Sequence, residues 1–250
     1  MAVYISIAAF ALIVASIWLG HALRRRLPEH HLSGDSKEVI RLATALIGTM
    51  AAVVLALLFS STRASYEQTN HNVARLTAGV LELDTLLSEY GGPDSLRLRQ
   101  ALRADVDFMI SSIWRDDAAP TTDLLRPVTQ QESVLYRLRQ LVPATPLQGS
   151  LQARALAVST GLDQVRLTLF AQPPDALSKP FIFVLVLWLC FIFATFSMSS
   201  RPNVTLVSTL LACAMAASTA IYLILELGQP FDGLLQISNQ SLRGALGPLS

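Results

Sequence analysis

The residues of this chain that are best placed to do chemistry are small, weakly polar side chains within one long apolar run. They recur every three or four residues, which puts them on one face of a helix: Thr49, Ala52, Ala56 and Ser60. Such stripes either let membrane helices pack closely or leave room for water and ions along a pore. The pattern alone favours packing, with pore lining as the alternative. A second stripe is predicted to be a packing face: Ser208, Ala212, Ala216 and Ala220.

Three charged residues mark the ends of apolar runs. Arg41 and Arg63 flank the first stripe, and Glu226 lies near the end of a later run, in LILELGQP. An acid is costly in hydrocarbon and inexpensive at the membrane interface. Glu226 is therefore expected to face lipid headgroups or to pair with an arginine such as Arg63, and a role in ion conduction is the alternative.

The chain carries none of the short signatures that mark common catalytic and cofactor sites. It has no GxSxG, Walker loop, HExxH, CxxC or glycine-rich dinucleotide turn. His30 and His31 follow Glu29, but neighbouring residues on a loop rarely converge on one metal ion. We predict no catalytic residues, no metal, no cofactor and no enzymatic activity. The formal net charge of +1 gives no reason to expect a nucleic-acid partner.

The composition indicates a membrane protein. The chain is 52% hydrophobic and 15% charged, whereas soluble domains are about one-quarter charged. Four runs reach the roughly 20 apolar residues that a bilayer requires: 3–23, 39–61, 180–199 and 204–227. We predict an all-α integral membrane protein in contact with lipid, with an extramembrane helical domain inserted between the second and third spans. The predicted segments are 1–62 (spans one and two), 63–179 (helical bundle), 180–227 (spans three and four) and 228–250 (an amphipathic surface segment).

Residues 63–179 show the spacing of packed helices. Apolar residues from Val73 to Tyr90 follow alternating steps of three and four. Because this register continues that of the second span, one helix is predicted from residue 39 to Tyr90, where GGP stops it. A further helix is predicted to start at a cap provided by Asp94 or Ser95, and two more cover about residues 130–142 and 151–169.

Arginines in this segment alternate with acids. Arg103 and Asp107 are four residues apart, as are Arg63 and Glu67. Pairs at this spacing stabilise an exposed helix face by a few tenths of a kcal/mol. We therefore expect ion pairs here and treat them as weak indicators of a binding site.

Basic residues predict the orientation in the membrane. The first connection carries a cluster of them, and short cytoplasmic loops collect Lys and Arg: Arg24, Arg25, Arg26 and Lys37. Residues 21–38 are therefore predicted to be cytoplasmic, and residues 63–179 to lie outside. The predicted location is the cell's inner membrane.

Several stretches resemble the bacterial bestrophin-like family, named for a distant similarity to bestrophins. They are RRRLPEHHLS, IGTMAAVVLALLFSS, SYEQTNHNVARLTAGVLELDTLLSEYGG and most of the chain from SKPFIF to SLRGAL. Bestrophins are pentameric ion channels whose second membrane helix lines the pore. The resemblance therefore implies a homo-oligomeric channel that interacts with ions; a non-conducting sensor or scaffold of the cell envelope is the alternative. In bestrophins the helices between spans two and three are cytoplasmic, whereas the arginines here place them outside.

Overall fold

The computed structural model of the chain describes residues 2–26, 35–114, 134–171, 179–199 and 203–247. Every secondary-structure element in these residues is an α-helix. In chain order the helices are α1 Ala2–Arg26, α2 Asp35–Tyr90, α3 Gly92–Ile113, α4 Val134–Gln140, α5 Pro146–Ala171, α6 Lys179–Ser199, α7 Val204–Leu227 and α8 Gln240–Leu246. The predictions that fall on Glu29, His30, His31 and residues 130–133 lie outside the described residues.

Four of these helices contain a segment long and apolar enough to cross a membrane: Ala2–Arg26, Glu38–Tyr90, Pro180–Ser199 and Val204–Leu227. Each contains or coincides with one of the four runs predicted from hydropathy. The prediction of an all-α membrane protein with four spans is therefore confirmed in helix content and in candidate spans. The extramembrane location of residues 63–179 stays a prediction.

Helix α2 is continuous from Asp35 to Tyr90, which confirms that the second span and the following helix are one element. It ends at Gly91 and Gly92, whose φ angles of 70° and 84° lie in a region that other residues rarely adopt. The predicted side-chain cap of α3 is wrong. The cap position is Gly91, without a side-chain hydrogen bond, and a proline follows in the first turn. Ser95 lies inside the helix and donates to the carbonyl of Leu87.

The described helices fall into two compact units. The membrane-helix unit comprises Met1–Tyr66 and Pro174–Gln229, and the helical unit comprises Glu67–Pro173 and Pro230–Ser250. In the membrane-helix unit α1 packs against α6 and α7. Its core contains two apolar clusters, one around Ala9, Leu185 and Ile221, and the other around Ile13 and Ala214.

The helical unit has a core of leucines and valines from the second half of α2 and from α3. Of the apolar positions predicted on this part of α2, Tyr90 is partly exposed. The other five are buried: Val73, Leu76, Val80, Leu83 and Leu87. Asp84 and Arg99 join the two helices through a forked ion pair, with Arg99 Nε 2.5 Å from Oδ1 and Nη2 3.2 Å from Oδ2. The hydrogen bond to the Asp84 carboxylate raises the pKa of Arg99, because it favours the charged guanidinium.

The C-terminal segment packs on protein through part of its predicted apolar face. Leu242 of α8 is fully buried, and α8 contacts α3. Leu234 and Leu235 remain exposed. Leu242, the central leucine of the segment predicted to lie along the bilayer, thus packs within the helical unit.

Candidate pore helix and boundary charges

The membrane half of α2 has one face that packs within its own chain. Thr44, Ala51 and Thr62 are buried on it, and Ala51 belongs to the same cluster as Leu185 of α6 and Ile221 of α7. The hydroxyl of Thr44 donates to the carbonyl of Ile40 at 2.7 Å. Because that backbone bond satisfies the hydroxyl, a threonine can be buried here without a partner from another helix.

The opposite side of α2 is open in the single chain. All four stripe residues predicted from the sequence are exposed on it: Thr49, Ala52, Ala56 and Ser60. The larger Leu46, Val53 and Leu57 beside the stripe are each about 60% exposed. The helix therefore presents small and large apolar residues to whatever surrounds the chain, whether lipid, a neighbouring subunit or a water-filled pore.

The boundary charges differ in their surroundings. Arg41 and Arg63 are exposed on α2. Glu226 is only 3% exposed, near the end of α7, and the Tyr222 side chain one turn earlier hydrogen-bonds to it. The expected placement of Glu226 at the lipid headgroups stays a prediction, and so does its pairing with Arg63.

The stripe predicted as a packing face on α7 does not pack within the single chain, so its packing against a neighbouring subunit stays a prediction. Ser208, Ala212 and Ala216 are exposed, and Ala220 at its end is partly exposed. The buried face of α7 instead contains Leu210, Ala214, Ser218, Ile221, Ile224, Leu225 and Glu226. Both faces have helical spacing and small residues, so the sequence offers no means of choosing between them.

Sequence reasoning missed a small-residue seam on α1. Its buried residues recur in steps of three and four: Ala2, Ser6, Ala9, Ile13, Ser16 and Gly20. A methyl group at Gly20 would collide with the carbonyl oxygen of Ala194 and stand 3.0 Å from Cβ of Ser197, so α1 and α6 nearly touch there. The periodicity of the small residues was a signal that could have revealed this seam.

Polar contacts hold the same ends of α1 and α6 together. Ser197 donates its hydroxyl proton to the carbonyl of Ile17 at 2.7 Å, so its oxygen accepts from Nδ1 of His21. Nε2 of His21 is buried without a partner among the described residues. Arg24 donates to the carbonyl of Met198 at 2.9 Å. One arginine of the predicted cytoplasmic cluster thus hydrogen-bonds to the last turn of α6.

The chain, with four candidate spans of which the second belongs to a long helix, matches a known family. The family model of the bestrophin-like domain matches residues 10–242. The chain belongs to this family. The match includes the whole of α2 to α7, and the bestrophin-like family is not an enzyme family. Comparison with curated proteins and with solved structures gave no match.

Proposed function

We propose that this bestrophin-like protein is the subunit of a homo-oligomeric ion channel in which α2 lines the pore. The observation that carries the proposal is the poor coverage of α2 by its own chain. In the most apolar stretch of α2, only 11% is buried by the rest of the chain, whereas 22–33% is buried in the corresponding stretches of the other three candidate spans. Because α2 is the span least covered by its own chain, it has the most surface available to contact neighbouring subunits and to line a pore between them.

The proposed pore wall follows from which residues are exposed. If α2 helices surround an axis, the face with Thr49, Ala52, Ala56 and Ser60 lines it, because these small side chains let the backbones approach. Ala52 and Ala56 then form the narrowest apolar ring. Rings of this kind gate by excluding water. Arg41 and Arg63 flank the stripe, and Glu226 lies away from the ion path because it is buried.

A polar substitution in the ring is expected to increase conduction. Ala56→Ser adds a hydroxyl that favours water in the constriction, so ion flux through the protein in liposomes should rise. Ala56→Trp fills the ring and should abolish flux. Flux is measured with an ion-sensitive dye trapped in liposomes that contain the purified oligomer.

The matched control for this experiment is Leu57→Ser. It introduces the same hydroxyl one residue further along α2, where the side chain is 64% exposed beside the stripe, and flux should stay at the parental level. An equal rise for Leu57→Ser would contradict the proposed lining face. No flux from the parent or from Ala56→Ser, in a sample shown to be a symmetric oligomer, would end the channel proposal.

The second candidate is a non-conducting, membrane-anchored helical sensor or scaffold of the cell envelope. The exposed small-residue faces on both α2 and α7 favour it, because such faces also serve close helix packing between subunits. Under this proposal none of the variants conducts, and Ala56→Trp disrupts assembly instead.

The proposed orientation places residues 21–38 in the cytoplasm and residues 63–179 outside, in the inner membrane. Cys190 and Cys213 are first replaced by serine, so that single cysteines can be introduced. A cysteine at Ser112 should react with a membrane-impermeant thiol reagent added to intact spheroplasts. A cysteine at Ser36 should react only after the membrane is permeabilised; the reverse pattern would overturn the orientation.

A further inference from the structure

The helical unit contains a groove of about 590 Å³ between α3 and the C-terminal segment. Arg103, Asp107 and Trp114 line it from α3, and Asn239 and Arg243 line it from the segment that includes α8. On α3 these residues are four and seven apart, which is the spacing of one helix face. The two arginines come from helices far apart in sequence and border the same space.

The walls of the groove are fixed by Trp114. Its indole Nε1–H donates to the carbonyl of Ile237 at 2.8 Å, and its ring meets that of Phe231 edge to face, with centroids 5.4 Å apart. The backbone N–H of Ile237 donates to the carbonyl of Pro230 at 2.8 Å, which closes the loop that precedes α8. With Leu242 fully buried, the helix that carries Arg243 is anchored against α3.

The two groove arginines have hydrogen-bonding capacity to spare. Within the described residues, neither the Arg103 nor the Arg243 guanidinium has an ion pair or a hydrogen bond, in contrast to Arg99 and Arg154, which bind Asp84 and Glu82. Arg103 and Asp107 do not form the ion pair predicted from their spacing, so that expectation is wrong. Each guanidinium keeps five N–H donors available.

We propose that this groove binds a phosphate-bearing organic anion through Arg103 and Arg243. A guanidinium presents parallel N–H groups that match the oxygens of a phosphate, and a tetrahedral phosphate offers oxygens to two arginines at once. The groove is larger than a phosphate group, and Trp114 gives it an aromatic wall for the rest of the ligand. Asn239 adds an amide that can donate or accept.

The ligand is either a lipid headgroup or a free organic phosphate. Phe231, which packs on Trp114, is the fourth residue after Leu227, the last residue of a candidate span. Asp107 lies in the groove as a negative charge and lowers the affinity for any anion. The groove is lined only by residues of the helical unit and by none of the proposed pore residues, so the inference holds whether or not the protein is a channel.

The test measures binding of two probes to the full chain in an uncharged detergent by isothermal titration calorimetry. The probes are inorganic phosphate and a short-chain, water-soluble phosphatidic acid. Arg103→Gln and Arg243→Gln should each weaken binding about tenfold, because each removes charge-assisted hydrogen bonds. Asp107→Asn should tighten binding several-fold, since it removes a like charge. Both arginines are exposed, so the variants should fold.

Arg97→Gln is the matched control, because Arg97 is an exposed arginine of α3 outside this groove. It should leave the affinity unchanged. Comparable affinities for the two probes would identify a free phosphate, and tighter arginine-dependent binding of the lipid would identify a headgroup. The proposal would be overturned if Arg103→Gln and Arg243→Gln bound the probes as tightly as Arg97→Gln. It would also be overturned if neither probe bound at about 10 mM, a concentration at which even weak binding is detected.

Discussion

Replacing Leu83 by alanine is expected to lower the free energy of unfolding of the helical unit by about 2–5 kcal/mol. Leu83 is 1% exposed in the core that α2 shares with its neighbours. Truncation removes buried apolar surface and leaves a cavity that the surrounding helices fill only in part. Trp114, the one tryptophan in this unit, reports its unfolding by fluorescence during urea denaturation in detergent.

The matched control is Leu81→Ala, two residues earlier on the same helix. Leu81 is 40% exposed, so its loss should cost less than about 1 kcal/mol. The two variants have the same change in composition and in helix propensity, and only burial distinguishes them. Equal stabilities for the two variants would show that the seam on α2 is not a core.

Substituting alanine for Gly20 is expected to destabilise the membrane-helix unit by about 1–3 kcal/mol, although alanine is the better helix former. The added methyl group would meet the backbone oxygen of Ala194, which cannot rotate away as a side chain could. The helices α1 and α6 must then move apart, which strains the hydrogen bonds of Ser197 and Arg24. The unfolding temperature in detergent should fall.

Gly48→Ala provides the control for this prediction. Gly48 lies on α2, and a methyl group there has no atom within 4 Å in the chain. The same substitution should therefore be neutral or stabilising by up to about 1 kcal/mol, because it removes a glycine from a helix. Cys190 on α6 gives a second readout in a Cys213→Ser background. Its reaction with a thiol reagent should be faster in Gly20→Ala than in Gly48→Ala, and equal rates would contradict the close contact at Gly20.

The sequence by itself determined where the helices are. The four spans are set by the length of apolar runs against the thickness of a bilayer, and this property needs no knowledge of neighbouring helices. The end of α2 could also be predicted from the local sequence alone, because paired glycines followed by a proline cannot continue a helix. The cap of α3 was missed, since Asp94 and Ser95 are both good cap residues and only the backbone shows that Gly91 takes that position.

For the candidate site, the sequence placed Thr49, Ala52, Ala56 and Ser60 on one side of α2, because covalent geometry fixes 3.6 residues per turn. It could not say which side of a helix its own chain covers. On α2 the stripe is exposed, and on α7 the stripe predicted to pack is exposed as well. Both faces have the same period, so the choice depends on side chains of other helices.

The tertiary structure alone decided the contacts between distant residues. Trp114 bonds to Ile237 across 123 positions of sequence. This contact holds together the groove that Arg103 and Arg243 both line, and Arg103 is not paired with Asp107 four residues away. Glu226 is likewise buried because the end of α7 packs within the protein. Helical periodicity comes from interactions within a few residues and can be read locally, whereas burial and pairing depend on which helices meet, and that is decided only when the whole chain has packed.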